Sequence, residues 1–148
     1  MTRPAESRVG ARRQAREGAV QVLYQLDATG SRDAEEALAL YWASGFDEPP
    51  PEAVRSFTDA LVRGTVERLG EIDETLQKST QHWRLERMAR VDRNVLRLAV
   101  YELLWSEDVP ARVVLNEAID IAKKFGSEES GAFVNGILDR VAHDAGKS

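Results

Sequence analysis

The sequence predicts an all-α fold of about seven helices, arranged as two packed helical sub-bundles. Apolar residues recur every three or four positions in almost every segment between turns, which is the spacing of one buried helix face. No stretch alternates apolar and polar residues for long enough to indicate a β-strand. The 148 residues are 43% hydrophobic and 30% charged, an ordinary globular composition. A chain of this length buries enough surface to fold without disulfides.

We expect the chain to form one compact unit made of an arm and the two sub-bundles. Residues 1–10 lack periodicity and contain Pro4 and Gly10, which predicts a flexible arm carrying arginines. The N-terminal sub-bundle is expected over residues 11–80, and the C-terminal sub-bundle over residues 81–148.

The helices of the first half are separated by clear turn residues. The first helix is expected to start near Ala11 and to end at Gly30. Ser31 is a natural N-cap for the second helix, because its hydroxyl can accept a hydrogen bond from a free amide of the first turn. The run Gly45–Pro51 is the clearest loop. A long helical pattern follows, with a break expected near Gly70, although its register also allows a single helix.

The second half is predicted to be built around its most hydrophobic helix. A connector over residues 79–90 contains a short helical turn and is expected to be anchored by Trp83, Leu85 and Met88. The helix Asp92–Trp105 follows and leaves only a narrow polar stripe. A helix that is apolar on most sides is expected to be central and covered.

Two amphipathic helices joined by a Gly-Ser turn end the chain. Gly126 is the expected C-cap residue of the first of them. Ser127 is the expected N-cap of the second, with Glu128 and Glu129 in its first turn, where the helix dipole favours negative charge.

Positive charge is concentrated at the N-terminus of an acidic chain. Residues 1–16 hold five arginines against Glu6 alone, a net charge of +4, whereas the whole chain carries −5 and the remainder therefore −9. Arg12, Arg13 and Arg16 lie off the apolar stripe of the first helix and are expected to be exposed. Guanidinium groups bind phosphates bidentately, and arginine-rich segments can order on RNA. A solvated N-terminus without a ligand explains the same charges equally well.

Two aromatic residues have a similar double interpretation. Phe133 follows the small pair Gly131 and Ala132, on the flank of the last core stripe. A core position is the simpler interpretation, and a stacking platform for an unpaired base is the functional one. Tyr24 on the first helix has the same ambiguity.

Several functional classes are disfavoured by what the sequence lacks. There is no cysteine, so disulfides, thiolate metal sites and a cysteine nucleophile are excluded. His82 and His143 stand apart, and neither a metal-binding histidine pair nor a glycine-rich phosphate loop occurs. We therefore predict a protein that is not an enzyme and needs no metal or cofactor. Without a secretory signal or an apolar run of membrane-spanning length, a cytoplasmic protein is expected.

Three stretches resemble the NusB family of transcription antitermination factors. They are ARRQAREGAVQVLYQLD at residues 11–27, RVDRNVLRLAVYELLW at residues 90–105 and VPARVVLNEAIDIAKKFGSEESGAFVNGILDRV at residues 109–141. NEAIDIAKKFG followed by FVNG is the most specific part. Residues 28–89 resemble the family mainly in helical pattern.

The resemblance implies a fold, a set of partners and no catalytic step. The fold is two helical sub-bundles of NusB type. The partners are single-stranded boxA RNA of ribosomal RNA leaders, the ribosomal protein NusE and the elongating RNA polymerase. A free protein of this type could also form a homodimer that hides its partner surface. The negative charge of the remainder of the chain is complementary to a basic ribosomal protein, whereas the N-terminal arginines are complementary to RNA phosphates.

The resemblance also implies roles for residues of the first helix. The arginine-rich motif of the family matches Arg12, Arg13 and Arg16, which are implied to contact RNA. The family's tyrosine matches Tyr24, near both the RNA and the protein partner.

Further roles are implied in the second half of the chain. Asp92 matches the acidic residue that opens the central helix and is implied to face the ribosomal protein. Glu129 and Phe133 match positions near the RNA. Glu129 departs from the aspartate expected there. Arg3 and Arg8 have no matching position.

Two other interpretations remain open. The same helical domain resembles the N-terminal part of certain ribosomal RNA cytosine methyltransferases, although this sequence contains no reactive cysteine. A helical protein-interaction module without an RNA role is the third possibility.

Overall fold

The computed structural model has seven α-helices and one 3₁₀ turn among the residues that it describes. It describes residues 4–80 and 83–147, and side chains from Gly10 onward within those ranges. The helices are α1 Pro4–Thr29, α2 Ala34–Trp42, α3 Glu52–Glu67, α4 Leu69–Ser79, α5 Arg90–Trp105, α6 Ala111–Phe125 and α7 Ser130–Asp144, with the 3₁₀ turn at Leu85–Arg87. The described residues contain no strand, and the predicted all-α fold of about seven helices is confirmed.

The chain divides into two compact units, Met1–Val66 and Glu67–Ser148. The first unit contains α1, α2 and all of α3 except its last residue, and the second contains α4 to α7. Contacts therefore group α4 with the later helices, whereas the sequence prediction placed it in the sub-bundle of residues 11–80. The reason is local: α4 packs against α5 and α7 through residues such as Ile72 and Leu76, both fully buried.

Helix α1 is longer than its periodicity predicted. It begins at Pro4 rather than near Ala11, so the backbone of residues 4–10 is helical, and residues 1–3 of the predicted arm lie outside the described residues. Proline suits the first turn of a helix because no acceptor is needed for its missing N–H. Gly10 lies within the helix, where a glycine costs only about 1 kcal/mol.

The first unit is held together by close approach of its helices. Along α1 the predicted stripe is buried, from Ala15 to Leu26. Gly18 lies under Tyr41 of α2, since a Cβ placed on Gly18 would be 2.9 Å from the Tyr41 hydroxyl oxygen. Thr58 of α3 donates a hydrogen bond from Oγ1 to the Val54 carbonyl at 2.7 Å, which satisfies its buried hydroxyl.

Two helix boundaries of this half differ from the predictions. The N-cap of α2 is Asp33, whose carboxylate accepts from the Glu36 amide at 3.0 Å. Ser31 instead accepts from the Asp33 amide through its hydroxyl, so the predicted cap was wrong by two residues. The break in the long pattern falls at Arg68, between α3 and α4, close to the expected position near Gly70.

In the second unit, α5 is the central helix, as predicted. It packs against α4, α6 and α7, and even most of its polar stripe is covered. Arg93 donates from Nη1 to the Leu85 carbonyl at 2.8 Å. Arg97 makes two hydrogen bonds to the carboxylate of Asp73 on α4, at 2.8 and 2.9 Å. Guanidinium groups thus pair with acceptors inside the bundle, which limits the desolvation cost of covering them.

The turn between α6 and α7 is built differently from the prediction. Gly126 is the C-cap of α6, and a Cβ there would be 2.4 Å from Ser130 Oγ and 2.8 Å from the Ala122 carbonyl oxygen, so glycine is needed for space. Ser127 is not the N-cap of α7, because that helix begins three residues later, at Ser130. The Ser127 amide donates to Ser130 Oγ at 2.9 Å, and this bond closes the turn.

Within the described residues, no helix is long and apolar enough to cross a membrane.

Candidate nucleic-acid interface

Arg12 and Arg16 of α1 share one aromatic neighbour. Their guanidinium carbons lie 5.3 and 5.5 Å from the centroid of the Phe57 ring on α3, within the range of cation–π attraction. Residues four apart on a helix lie one above the other, so both arginines reach the same ring. The aromatic ring offsets part of the repulsion between two cations held close together.

The three arginines differ in exposure, which the sequence did not predict. Arg12 is exposed and Arg13 is half-buried. Arg16 has only 3% of its surface exposed, so the expectation that it faces solvent was wrong. A long arginine side chain can lie along apolar surface, and the Phe57 ring supplies such a surface here. Arg12 and Arg13 are therefore the members of the motif that a ligand can reach directly.

The helical spacing of Phe57 within the long pattern after the Gly45–Pro51 loop predicts only a core position. It is half-buried, and it lies against the two arginines. An aromatic residue at a helical core position carries no sequence signal that distinguishes a cation platform from ordinary packing. Its role became visible only when α1 and α3 were placed together.

Tyr24 lies further along α1 and is half-buried. It follows Arg13 by eleven residues, which corresponds to about three full helical turns and roughly 16 Å along the axis. Tyr24 and Arg13 therefore point to nearly the same side of α1. A half-buried face of α1 therefore carries both a cation and a phenol ring.

In the second unit, Phe133 lies on the flank of the core. Its neighbour Val134 is fully buried, whereas Phe133 itself is half-buried. The Phe133 ring meets the Trp83 indole edge to face, with centroids 5.7 Å apart and planes at 84°. Phe133 is thus neither a full core residue nor an isolated surface ring.

Glu129 is exposed at the N-cap position of α7. Its side chain makes no capping hydrogen bond, and its carbonyl accepts from the Phe133 amide at 3.0 Å. The carboxylate is therefore held one helical turn before Phe133, on the solvent side of the turn.

Asp92, assigned to the protein partner, is less accessible than its predicted role suggests. It occupies the first turn of α5, and only 8% of its surface is exposed. Among the residues described, its Oδ1 is a buried side-chain oxygen without a hydrogen-bond partner. The α5 dipole favours a negative charge at this end of the helix. One acceptor site on Asp92 is thus unused within the part of the chain that the structure describes.

Trp83 differs from its sequence assignment as an anchor. Its side chain is 55% exposed, whereas Met88 of the same connector is buried as expected. His82 lies outside the described residues. Among the residues described, no group of His, Asp or Glu could hold a metal ion.

Comparison with known proteins decides the family. A model of the NusB family matches residues 13–143. The chain belongs to the NusB family. The resemblance of the three sequence stretches is thereby confirmed, and the match includes residues 28–89, where the similarity lay mainly in the helical pattern.

NusB relatives agree over nearly the full length. The transcription antitermination protein NusB of Sorangium cellulosum is 48% identical over 139 residues, covering 94% of this chain and 96% of that protein. A structure of T. maritima NusB superimposes with a TM-score of 0.82 at 39% identity, covering 97% of this chain and 94% of that one. The Sorangium cellulosum relative is named for transcription antitermination, and the NusB family is not enzymatic, which confirms the prediction that the protein is not an enzyme.

One solved structure shows a NusB protein with partners. The antitermination factors NusB and NusE in complex with double-stranded RNA include a chain with a TM-score of 0.81 to this one, at 28% identity. The match covers 90% of this chain and 97% of that chain.

Proposed function

We propose that this NusB-family protein binds boxA-type single-stranded RNA of ribosomal RNA leaders together with the ribosomal protein NusE. The complex joins the elongating RNA polymerase in the cytoplasm and suppresses premature termination. The observation that carries the proposal is the arginine pair of α1, Arg12 and Arg16, stacked on Phe57 in a chain of this family. Support comes from the similar chain that is complexed with NusE and RNA.

The proposed RNA contacts follow from the exposure of each residue. Arg12 and Arg13 bind phosphates through charge-assisted hydrogen bonds. Arg16, being buried, packs against the Phe57 ring that Arg12 also contacts and offers little of its own side chain to the RNA. Tyr24, on the side of α1 that carries Arg13, contacts a sugar or base.

The turn before α7 supplies the other proposed contacts. Phe133 presents a ring on which an unpaired base can stack. Glu129, exposed one turn earlier, accepts hydrogen bonds from base amino groups, the role that a carboxylate can fill in base readout. A carboxylate also repels phosphates, so it favours a base rather than the backbone at this point.

The protein partner is proposed to bind through charge complementarity. A net charge of −9 outside residues 1–16 attracts a basic ribosomal protein. Asp92 offers its unused oxygen to a donor of that partner, and Tyr24 lies near both ligands. The free protein forms a homodimer only if the same surface is self-complementary.

A titration tests the proposal. Fluorescently labelled boxA-type RNA is titrated with the protein alone and with NusE added, and a scrambled RNA serves as a control. We expect binding that tightens when NusE is present. NusE binding without any RNA binding would indicate a protein-interaction module instead, and no binding of either ligand would contradict the proposal.

A matched pair of variants assigns the RNA binding to α1. Arg12→Gln should weaken RNA binding and lower its salt dependence, because fewer counterions are displaced. Arg63→Gln removes one positive charge from the same unit, but Arg63 is already bonded to Glu35 at 2.7 Å. Equal losses in the two variants would show that net charge, rather than the arginine motif, drives binding.

A further inference from the structure

Trp83 combines a fixed backbone with an open side chain. Its amide donates to the Thr80 carbonyl at 3.0 Å. Its carbonyl accepts from Gln77 Nε2 at 2.9 Å and from Thr80 Oγ1 at 3.0 Å. Three hydrogen bonds therefore hold the residue in place, yet 55% of its surface remains exposed. A rigid, exposed indole loses little conformational entropy when a ligand stacks on it.

The contact between Trp83 and Phe133 leaves room for such a ligand. The planes of the two rings are at 84°, so the edge of one ring meets the face of the other. A face-to-face pair would hide one face of each ring, whereas this arrangement forms a corner with open aromatic surface. A flat, π-rich molecule can stack on one ring while its edge meets the other.

The segment that carries Trp83 is positively charged within an acidic protein. Residues 83–90 contain Arg84, Arg87 and Arg90 against Glu86 alone, a local net charge of +2 in a chain of −5. Arg84 and Arg87 are both exposed. The ion pair of Arg84 with Glu86 is long, at 3.5 Å, and both side chains are about 70% exposed, so it contributes little and is easily exchanged for another anion.

This charge selects the kind of partner. A basic ribosomal protein would be repelled by exposed arginines, and an apolar protein surface would leave their charges without partners. An anionic chain with flat, unpaired rings satisfies both features, because its phosphates pair with the arginines and its bases stack on the indole.

We propose that Trp83, with Arg84, Arg87 and the Phe133 ring, forms a second binding surface for single-stranded RNA, on which an unpaired base stacks against the indole. This surface, called the Trp83 surface below, extends the RNA contact of the second unit beyond α7. The inference rests on the proposed RNA-binding function and adds a stacking residue and two phosphate-binding residues to it.

The test compares matched variants in RNA binding. Trp83→Ala, Trp83→Phe and the double variant Arg84→Gln/Arg87→Gln are titrated with a labelled single-stranded boxA-type RNA over a series of salt concentrations. Phe46→Ala removes an exposed ring from the first unit, and Arg112→Gln removes an exposed cation from α6. Thermal melts confirm that each variant is folded.

The expected results separate stacking from charge. Trp83→Ala weakens RNA binding at least about fivefold, as for loss of one stacked base, and Trp83→Phe recovers part of that loss. The double arginine variant lowers the salt slope by about 1.4, twice the value for one single-strand phosphate contact. Phe46→Ala and Arg112→Gln leave affinity and slope unchanged. RNA quenches indole fluorescence in the wild type, and Trp83→Phe loses most of that quenching.

Three outcomes would overturn the inference. If the wild type binds RNA and Trp83→Ala leaves the affinity within twofold of it, the Trp83 surface is rejected and the proposed function remains. If Trp83→Ala weakens NusE binding in the absence of RNA as much as it weakens RNA binding, the surface belongs to the protein partner. Absence of RNA binding by the wild type rejects both proposals.

Discussion

The two units bring arginine and aromatic residues together in opposite ways. In the first unit, Phe57 is covered by the guanidinium groups of Arg12 and Arg16, and Arg16 is buried in the process. In the second unit, Trp83 and Phe133 contact each other, while Arg84 and Arg87 extend into solvent. The ring of the first unit therefore positions cations, whereas the Trp83 ring of the second unit is itself exposed. The same residue types can serve as support or as contact, depending on which of them is left exposed.

The largest expected effect comes from removing the accessible cations of the first unit. Arg12→Gln/Arg13→Gln should weaken RNA binding roughly 25-fold at 0.1 M salt and lower the salt slope by about 1.4, because two phosphate contacts are lost. Filter binding at several salt concentrations measures both quantities. Arg16→Gln is the contrasting variant: we expect it to lower the melting temperature with a smaller change in slope, because Arg16 is buried. If Arg16→Gln lowers the salt slope of RNA binding as much as Arg12→Gln/Arg13→Gln does, Arg16 also contacts the RNA directly.

The next effect concerns Phe133, the half-buried ring of the second unit. Phe133→Ala should weaken RNA binding about five- to tenfold, at the lower end of the range for a stacked base, because the ring is half-buried. Calorimetry should show a smaller loss of stability than the 3–5 kcal/mol typical of a buried phenylalanine. A large fall in melting temperature with intact RNA binding would show that Phe133 serves core packing rather than RNA binding.

Phe57→Leu tests the support role of the first unit. Leucine keeps most of the apolar volume but removes the π face, so we expect a loss of about 1 kcal/mol in the free energy of unfolding from two weakened cation–π contacts. RNA affinity should fall only a few-fold, since Arg12 remains present but is less ordered. Denaturant melts and RNA titrations on one preparation measure the two effects. Unchanged stability together with a loss of affinity as large as for Arg12→Gln/Arg13→Gln would mean that Phe57 contacts the RNA directly.

The smallest expected effect is a pH dependence of stability from the ion pair between Glu35 and Arg63. Hydrogen bonding to Arg63 lowers the pKa of Glu35, with the charge of Arg63 adding to the effect, so this pair stabilises the fold above the unfolded pKa of about 4.3. That contribution is lost as the pH falls through the lower folded pKa. Both groups are exposed, so the effect is small. Comparing wild type with Glu35→Gln between pH 3 and 6 isolates it, and identical pH profiles would show that the pair contributes nothing.

Much of the fold could be predicted because helical periodicity is a local property. The buried stripe of α1, the central position of α5 and the loop after α2 follow from spacing and turn residues alone. Helix ends were less predictable. Ser31 and Ser127 both have capping side chains, yet Asp33 caps α2, and Ser130 closes the turn before α7. Several neighbouring residues can cap the same helix, and the path of the chain at the turn decides which of them does.

The sequence by itself determined the helical class, the charge asymmetry and the family, because each depends on residue type and order along the chain. Only the tertiary structure decided which side chains are accessible. Arg12 and Arg16 have the same chemistry, lie one turn apart and contact the same Phe57 ring, but Arg12 is exposed and Arg16 is buried. Trp83 was expected to anchor the connector, but more than half of its surface is exposed. Exposure depends on residues distant in sequence, and so it is settled only when the helices pack.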